Sequence, residues 1–285
     1  MNELNYDELA TLIRPRVVKL DRPITSYYGG KAKLASWIAK KFGQHEIYAE
    51  PFAGMASVFF VKQPVKLEAL NDLDGEIVNF FKMLRDRPNE LIYKIWATPY
   101  SQFEYATSWQ ATDDPLEQAR RTFIKLRQSY GSNLKQKGGW LKGLGRGQTI
   151  TSAAQNNGIG HLFAAAERLR AAEIHQRDAL DFISLFADNS RALLYVDPPY
   201  VIETMRDSTL YYNFTVDHRH LAEALHACQG AVFLSGYDGT LYADLYPDWL
   251  RLEKKALNLH KDPTLEVLWW NRKGAANWIT QPALF

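Results

Sequence analysis

Short apolar runs that stop at acidic, glycine or proline residues recur along this chain, and between them apolar residues fall three or four positions apart. That alternation predicts strands interleaved with helices, an α/β sheet built through crossover connections. Strands are expected at 47–52, 66–71, 172–176, 192–196, 231–235, 252–257 and 265–270. They form a mainly parallel sheet of about seven strands. Helices are expected from Lys31 to Phe42, from Ser57 to Lys62 and from Asp74 to Leu84, the last with Ile77, Phe80, Phe81 and Leu84 on one face. A further helix over Leu116 to Tyr130 turns Leu116, Ala119, Phe123 and Leu126 or Tyr130 inward, and Arg120, Arg121, Lys125 and Arg127 outward. Residues 1–22 read as an N-terminal extension, with Tyr6 to Ile13 as a short amphipathic helix and no assigned role.

With 285 residues, 46% of them hydrophobic, the chain can bury one large core or a core plus a small appended domain. No apolar run approaches the roughly 20 residues that span a bilayer, and the opening residues lack a basic segment followed by an apolar one. A soluble, cytoplasmic protein is expected. The single cysteine, Cys228, cannot form an internal disulfide or a cysteine-rich zinc site, and is expected as a small buried hydrophobe in a helix. His218 and His220 sit two apart at an expected helix start, pointing to different faces with no carboxylate set to complete a metal site, so no metal is expected.

A formal charge of +2 is nearly neutral, so any nucleic-acid surface must be a local patch. One candidate follows the helix at 116–130, where basic residues alternate with glycines around a tryptophan. Phosphates need cations, close approach to a backbone favours glycine, and a large ring can fill a base stack. Arg127, Asn133, Lys135, Lys137, Trp140, Lys142 and Arg146 are the candidate DNA contacts; a solvated surface loop would use the same side chains.

The densest chemistry lies at Asp197-Pro198-Pro199-Tyr200, where the apolar run 192–196 stops. A buried strand opening at its carboxyl end onto a crevice is where open α/β sheets bind ligands. There Asp197 can accept a hydrogen bond from an N–H donor. Two prolines lack N–H groups and fix φ, so the Pro198 carbonyl becomes a second acceptor. Tyr200 offers a ring face, and together the four match a planar heterocycle carrying an NH₂. A proline-rich turn after a strand is the plainer reading of the same residues. Glu50-Pro51-Phe52-Ala53-Gly54 is a second strand-to-helix turn, in which small residues let a ligand approach the backbone. It is not the dinucleotide glycine fingerprint, and it lacks a phosphate-cradling lysine and serine pair. A phosphate-free cofactor such as S-adenosylmethionine fits better. Asp72 follows the next strand, about 20 residues past the glycine turn, where an acid can take ribose hydroxyls.

In their order along the chain, Tyr27-Tyr28-Gly29-Gly30-Lys31, Glu50-Pro51-Phe52-Ala53-Gly54, Asn71-Asp72-Leu73-Asp74 and Asp197-Pro198-Pro199-Tyr200 resemble the D12-class, Dam-like DNA adenine-N6 methyltransferases. The resemblance runs from about Pro23 onward and takes in Asn213-Phe214 through His218-Arg219-His220-Leu221 and the stretch from Glu266 to Asn271. It implies a Rossmann-like sheet over 23–95 and 170–285, a mainly helical target-recognition insertion over 96–169, and transfer of a methyl group from S-adenosylmethionine to the N6 amine of a flipped-out adenine in double-stranded DNA. It also implies that Asp178 contacts the cofactor's adenine and that Tyr27 and Lys31 line the cofactor end of the pocket. Family members usually have glycine where this chain has Ala56 and commonly where it has Arg177. A bacterial or phage source and a restriction endonuclease acting on the same site are further implications. N4-cytosine methylation, RNA adenine methylation and a non-catalytic DNA-binding role stay open as alternatives.

Overall fold

The computed structural model describes residues 5–7, 20, 24–25, 27, 29–132, 134–141, 144–145, 148–149, 159–199, 216–257, 263–271 and 273. Among them the elements run in the order α1 (Ala35–Ala39), β1 (Ile47–Glu50), α2 (Ser57–Val61), β2 (Leu67–Asn71), α3 (Gly75–Asp86), α4 (Pro88–Trp96), α5 (Gln102–Ser108) and α6 (Pro115–Gln128). There follow β3 (Leu144–Gly145), β4 (Gln148–Thr149), α7 (Gly160–Leu169), β5 (Ala172–His175), α8 (Ala179–Ser184), β6 (Ala192–Val196) and α9 (His218–Ala227). The last elements are β7 (Ala231–Tyr237), α10 (Thr240–Leu245), β8 (Leu250–Leu257) and β9 (Pro263–Trp270). The chain divides into two compact units, one of residues 37–53, 63–73 and 175–285 and one of residues 1–36, 54–62 and 74–174.

The first unit is built on the sheet. The seven-stranded sheet, of which β1, β2 and β6 to β9 lie wholly in this unit, follows the order β5-β2-β1-β6-β7-β9-β8, with β1–β2, β1–β6 and β6–β7 parallel and β7–β9 and β8–β9 antiparallel. From β1 the chain builds outward to β2 on one side, and from β6 to β7 on the other. The strand order therefore reverses between β1 and β6, a switch point where α/β sheets open a crevice at the strands' carboxyl ends. All five residues of β6 are buried, as a strand covered on both faces must be. On one face Leu194, Val196, Val232 and Leu234 pack with Phe182 of α8, Leu221 and Leu225 of α9, Tyr242 of α10 and Tyr246 just past it. The other face is aromatic, with Phe42 packed against Tyr48, Tyr195 and Phe233, and Phe233 stacked on Trp270 at 5.3 Å.

The second unit is mostly helical. Asp74 caps α3 by accepting a hydrogen bond from the Glu76 N–H, Ser101 caps α5 and Asp114 caps α6, each satisfying a donor that the first turn leaves open. The apolar face of α3 carries Ile77, Phe80, Phe81 and Leu84, all buried, and Phe80 stacks on Phe123 of α6. In α6, Leu116, Ala119, Phe123 and Leu126 face inward as expected, whereas Tyr130 is exposed. Lys125 departs from the expected outward face. It is buried, donates to both Glu76 carboxylate oxygens at 2.8 Å and lies 4.9 Å from the Trp109 ring. The acid and the ring make burial of the cation affordable.

Other expectations shift at element ends. The helix expected over 31–42 is confined to 35–39, and Cys228 stands just past α9 as its C-cap, fully buried. No described helix is long and apolar enough to cross a membrane.

Candidate active site

Glu50 closes β1 and Asp197 follows β6, the two strands flanking the switch point. The turn after Glu50 is held by hydrogen bonds from one buried side chain. Asn71, the last residue of β2, donates through Nδ2 to the Pro51 carbonyl at 2.9 Å and to the Arg177 carbonyl at 3.1 Å, and its Oδ1 accepts from the Arg177 N–H at 3.1 Å. Its own carbonyl accepts from the Ala53 N–H. One amide thus ties the turn after β1 to the turn after β5, and carries Asp72 next to both. The Asp72 N–H donates to the His175 carbonyl, leaving the half-buried Asp72 carboxylate at the strand end. Asp178 is exposed and caps α8, one carboxylate oxygen accepting from the Leu180 N–H at 2.7 Å.

Beneath the acids lies a buried layer of hydroxyls. The Tyr48 hydroxyl donates to Glu50 at 2.6 Å, and Tyr195, two residues before Asp197, shares a 2.8 Å hydrogen bond with Ser235. Burial, reinforced for Tyr48 by Glu50 and for Tyr195 by Asp197, pushes both phenols far above their usual range. Both stay protonated, so they act as fixed dipoles and not as bases.

Asp197, Pro198 and Pro199 leave β6 with Pro198 buried and its two neighbours half-buried. His218, the first residue of α9, has its Nδ1 3.2 Å from the Tyr242 hydroxyl. Burial holds the imidazole below its usual range, opposed by the Pro199 carbonyl and the Asp217 charge, so the ring is neutral at neutral pH.

In the helical unit, the Tyr27 carbonyl accepts from the Gly30 N–H, and buried Lys31 donates to the Gly29 carbonyl at 3.2 Å. Gly54 has φ +49°, and a Cβ built there would stand 3.2 Å from the Tyr27 ring, so the turn calls for glycine. Ala56 shares that left-handed conformation, at φ 49° and ψ 41°. Of the candidate DNA contacts, Lys135 pairs with Asp74 at 2.8 Å, Lys137 is exposed, and Arg127 lies 5.9 Å from the Phe123 ring. Trp140 is half-buried, tilted against Tyr100 at 5.5 Å and donating to Gln128. Tyr200, Asn133, Lys142, Arg146, Asn213 and Phe214 lie outside the described residues. Among the described residues no group of three or more His, Cys, Asp or Glu is placed to hold a metal ion.

A model of the D12 class N6 adenine-specific DNA methyltransferase family matches residues 27–258. The chain belongs to that family. A similar curated protein is the Type II methyltransferase M1.LlaDCHI of Lactococcus lactis subsp. cremoris, 33% identical over 72 residues. The match spans 25% of this chain and 25% of that relative's length. Among solved structures, the rRNA methyltransferase aviRa of Streptomyces viridochromogenes gives a TM-score of 0.41 at 11% identity over 96% of each chain. Precorrin 8w decarboxylase of Methanobacterium thermoautotrophicum gives 0.34 at 8% identity over 84% of this chain and 89% of that one. Within the family's span, sequence reasoning passed over two buried groups at the strand ends: the Asn71 side chain and the Tyr195–Ser235 pair. Only Asn71 carried a signal, as the residue before the candidate ribose acid.

Proposed function

We propose that this chain is a site-specific DNA methyltransferase that transfers a methyl group from S-adenosylmethionine to the N6 amine of an adenine flipped out of double-stranded DNA. The observation that carries the reading is the placement of Asp197-Pro198-Pro199 at the carboxyl end of β6, beside the sheet's switch point, in a chain of this family. The cofactor, when bound, supplies an electrophilic methyl on a sulfonium. The donor set suits it: Glu50, Asp72 and Asp178 are acceptors for hydroxyl and amine groups, and no lysine–serine phosphate cradle stands in the 50–54 turn. Tyr27, Lys31, Pro51, Phe52 and Gly54 complete the proposed cofactor end.

An amine conjugated to a purine is a poor nucleophile because its lone pair is delocalised into the ring. Asp197 and the Pro198 carbonyl would accept its two N–H bonds, which favours the sp³ nitrogen that develops as the new bond forms. Pro199 fixes that carbonyl and Tyr200 stacks on the base. A target atom inside a duplex is out of reach of such a site, so the base must leave the stack. We assign target recognition to residues 96–169, with Arg127, Asn133, Lys135, Lys137, Trp140, Lys142 and Arg146 as DNA contacts and 23–95 with 170–285 as the catalytic part. The Type II name of the curated relative supports a restriction endonuclease of the same site specificity as partner.

The test is incubation with labelled S-adenosylmethionine and unmethylated genomic DNA, with Asp197→Ala alongside and the nucleosides identified by mass spectrometry. N6-methyladenine from the parent, with a loss of at least about 100-fold in the variant, is expected. N4-methylcytosine would change the base, and transfer only to RNA would change the substrate.

A further inference from the structure

Just after α6 the chain doubles back on itself. The Leu141 N–H donates to the Gln128 carbonyl at 2.8 Å and the Tyr130 N–H to the Gly139 carbonyl at 3.0 Å, with Ser129 and Trp140 bridged antiparallel between them. Lys135 and Lys137, two of the proposed DNA contacts, stand in the loop of this short hairpin. Its arms come so close that a Cβ on Gly138 would fall 2.9 Å from the Tyr130 carbonyl oxygen, so that position calls for glycine.

A two-stranded hairpin alone is marginal in water, so its place must be set by what it rests on. Two phenols from the segment around α5 supply that support. The Tyr105 hydroxyl donates to the Gly138 carbonyl at 2.6 Å, and the Tyr100 hydroxyl, just ahead of the helix, donates to the Leu141 carbonyl. Tyr105 is 3% exposed, and burial raises its phenol above the usual range, so it stays a donor. Between the two carbonyls, Trp140 lies against the Tyr100 ring at 5.5 Å and donates through Nε1 to Gln128. The returning arm is thus held along its length. Lys135 is drawn to Asp74 at 2.8 Å, whereas Lys137 is exposed, one residue before the carbonyl that Tyr105 holds.

We propose that Tyr105 and Tyr100 are positioning residues for DNA recognition: their hydroxyls fasten the returning arm of the hairpin, so that Lys137 meets a phosphate of the duplex from a backbone already in place. Ordering that is complete before association is not a cost of binding. The inference rests on the assignment of this segment to DNA under the methyltransferase reading. It gives neither tyrosine a contact with DNA or cofactor.

Tyr105→Phe keeps the ring and removes only the hydroxyl. The measurement is binding of a fluorescent random-sequence duplex by anisotropy, over a salt series from about 50 to 200 mM. Lys137→Gln is expected to flatten the slope of log K against log salt by about 0.9, the share of one phosphate. Tyr105→Phe, with Lys137 still present, should flatten it by at least about half as much and weaken binding about 3- to 10-fold. The double variant should show the slope of Lys137→Gln alone, because the hydroxyl acts through the lysine. Affinity for S-adenosylmethionine, measured by calorimetry without DNA, should stay within about 2-fold of the parent's in Tyr105→Phe. A hydroxyl that only stabilised the fold would lower the urea midpoint and leave the salt slope unchanged. The parent's slope in Tyr105→Phe, losses that add in full in the double variant, or a matching loss of cofactor affinity would each overturn the proposal. Should Tyr105→Phe not fold, Tyr100→Phe decides by the same slope, alone and combined with Lys137→Gln. If Lys137→Gln itself keeps the parent's slope, the assignment of this segment to DNA has failed and the inference falls with it. If Lys137→Gln flattens the slope and Tyr105→Phe does not, the inference alone fails.

Discussion

Asn71 makes three side-chain hydrogen bonds from a position 1% exposed, and two of its partners belong to loops it does not touch in sequence. Truncation to alanine would strand the Pro51 carbonyl and both Arg177 backbone groups. A buried group left unpaired costs about 1–3 kcal/mol, so Asn71→Ala is expected to lose about 2–4 kcal/mol in urea unfolding and to weaken S-adenosylmethionine binding by at least about 10-fold. Ala56 sets opposing effects against each other. Its left-handed backbone costs about 1–2 kcal/mol that glycine would relieve. Burying its methyl is worth about 0.8 kcal/mol, and glycine's added freedom in the unfolded chain costs about 0.5–1 kcal/mol. Ala56→Gly should therefore melt within a few degrees of the parent, while Ala56→Val, β-branched at positive φ, should lose more than about 2 kcal/mol. At this scale the sequence disclosed chemistry better than support. Asp197 and Asp72 stand in motifs that name their chemistry, but the partners of Asn71 lie 20 and 106 positions away, and that of His218 lies at 242. Nothing local marks them.

At the scale of elements, strands were legible because apolar runs bounded by breakers have few other uses. The short helices α4, α5 and α7 were not read, although Pro88 at a first turn and Ser101 at a cap are start signals. Helices of that length take most of their stability from the neighbours they pack on, which periodicity alone does not identify. The same blindness misplaced Lys125, whose outward-reading position is covered by Trp109 and Glu76. On α6, Glu117 accepts from Arg120 and Arg121 at 2.7 Å and is only 20% exposed in its side chain. Hydrogen bonding from Arg120, ahead of its opposing burial, brings the Glu117 carboxyl from 4.5 down to about 2. A carboxylate whose pKa falls on folding stabilises the fold fully above its unfolded value, and that contribution drains as the pH falls towards the folded one. Between pH 4.5 and 2, then, Glu117→Gln should lose on the order of 2 kcal/mol less stability than the parent, read as a shallower shift of the urea midpoint.

For the whole molecule, the sheet was predicted as mainly parallel with about seven strands, and the order of those strands was not predicted at all. Order depends on which strands meet, and β1 meets β6 across 141 intervening residues that carry their own helices. The switch point that gives Asp197 its place is for that reason a property of the assembled fold. The family's motifs located it all the same, since they are read one strand end at a time.

The chain passes between its two units at 36/37, 53/54, 62/63, 73/74 and 174/175. Neither unit is a continuous stretch that a ribosome can finish and release. When β1 and β2 have emerged, the strand that pairs with β1 on its other side is still more than 100 residues from synthesis, which at about 5–20 residues per second is roughly 6–24 s of waiting. During that interval the apolar edge of β1 has no β6 to cover it, and contacts so distant in sequence close slowly even once both partners exist. Fragments cut at 95/96 or 169/170 should accordingly collect in the insoluble fraction, and the yield of active protein should depend on chaperone supply more steeply than its equilibrium stability would suggest.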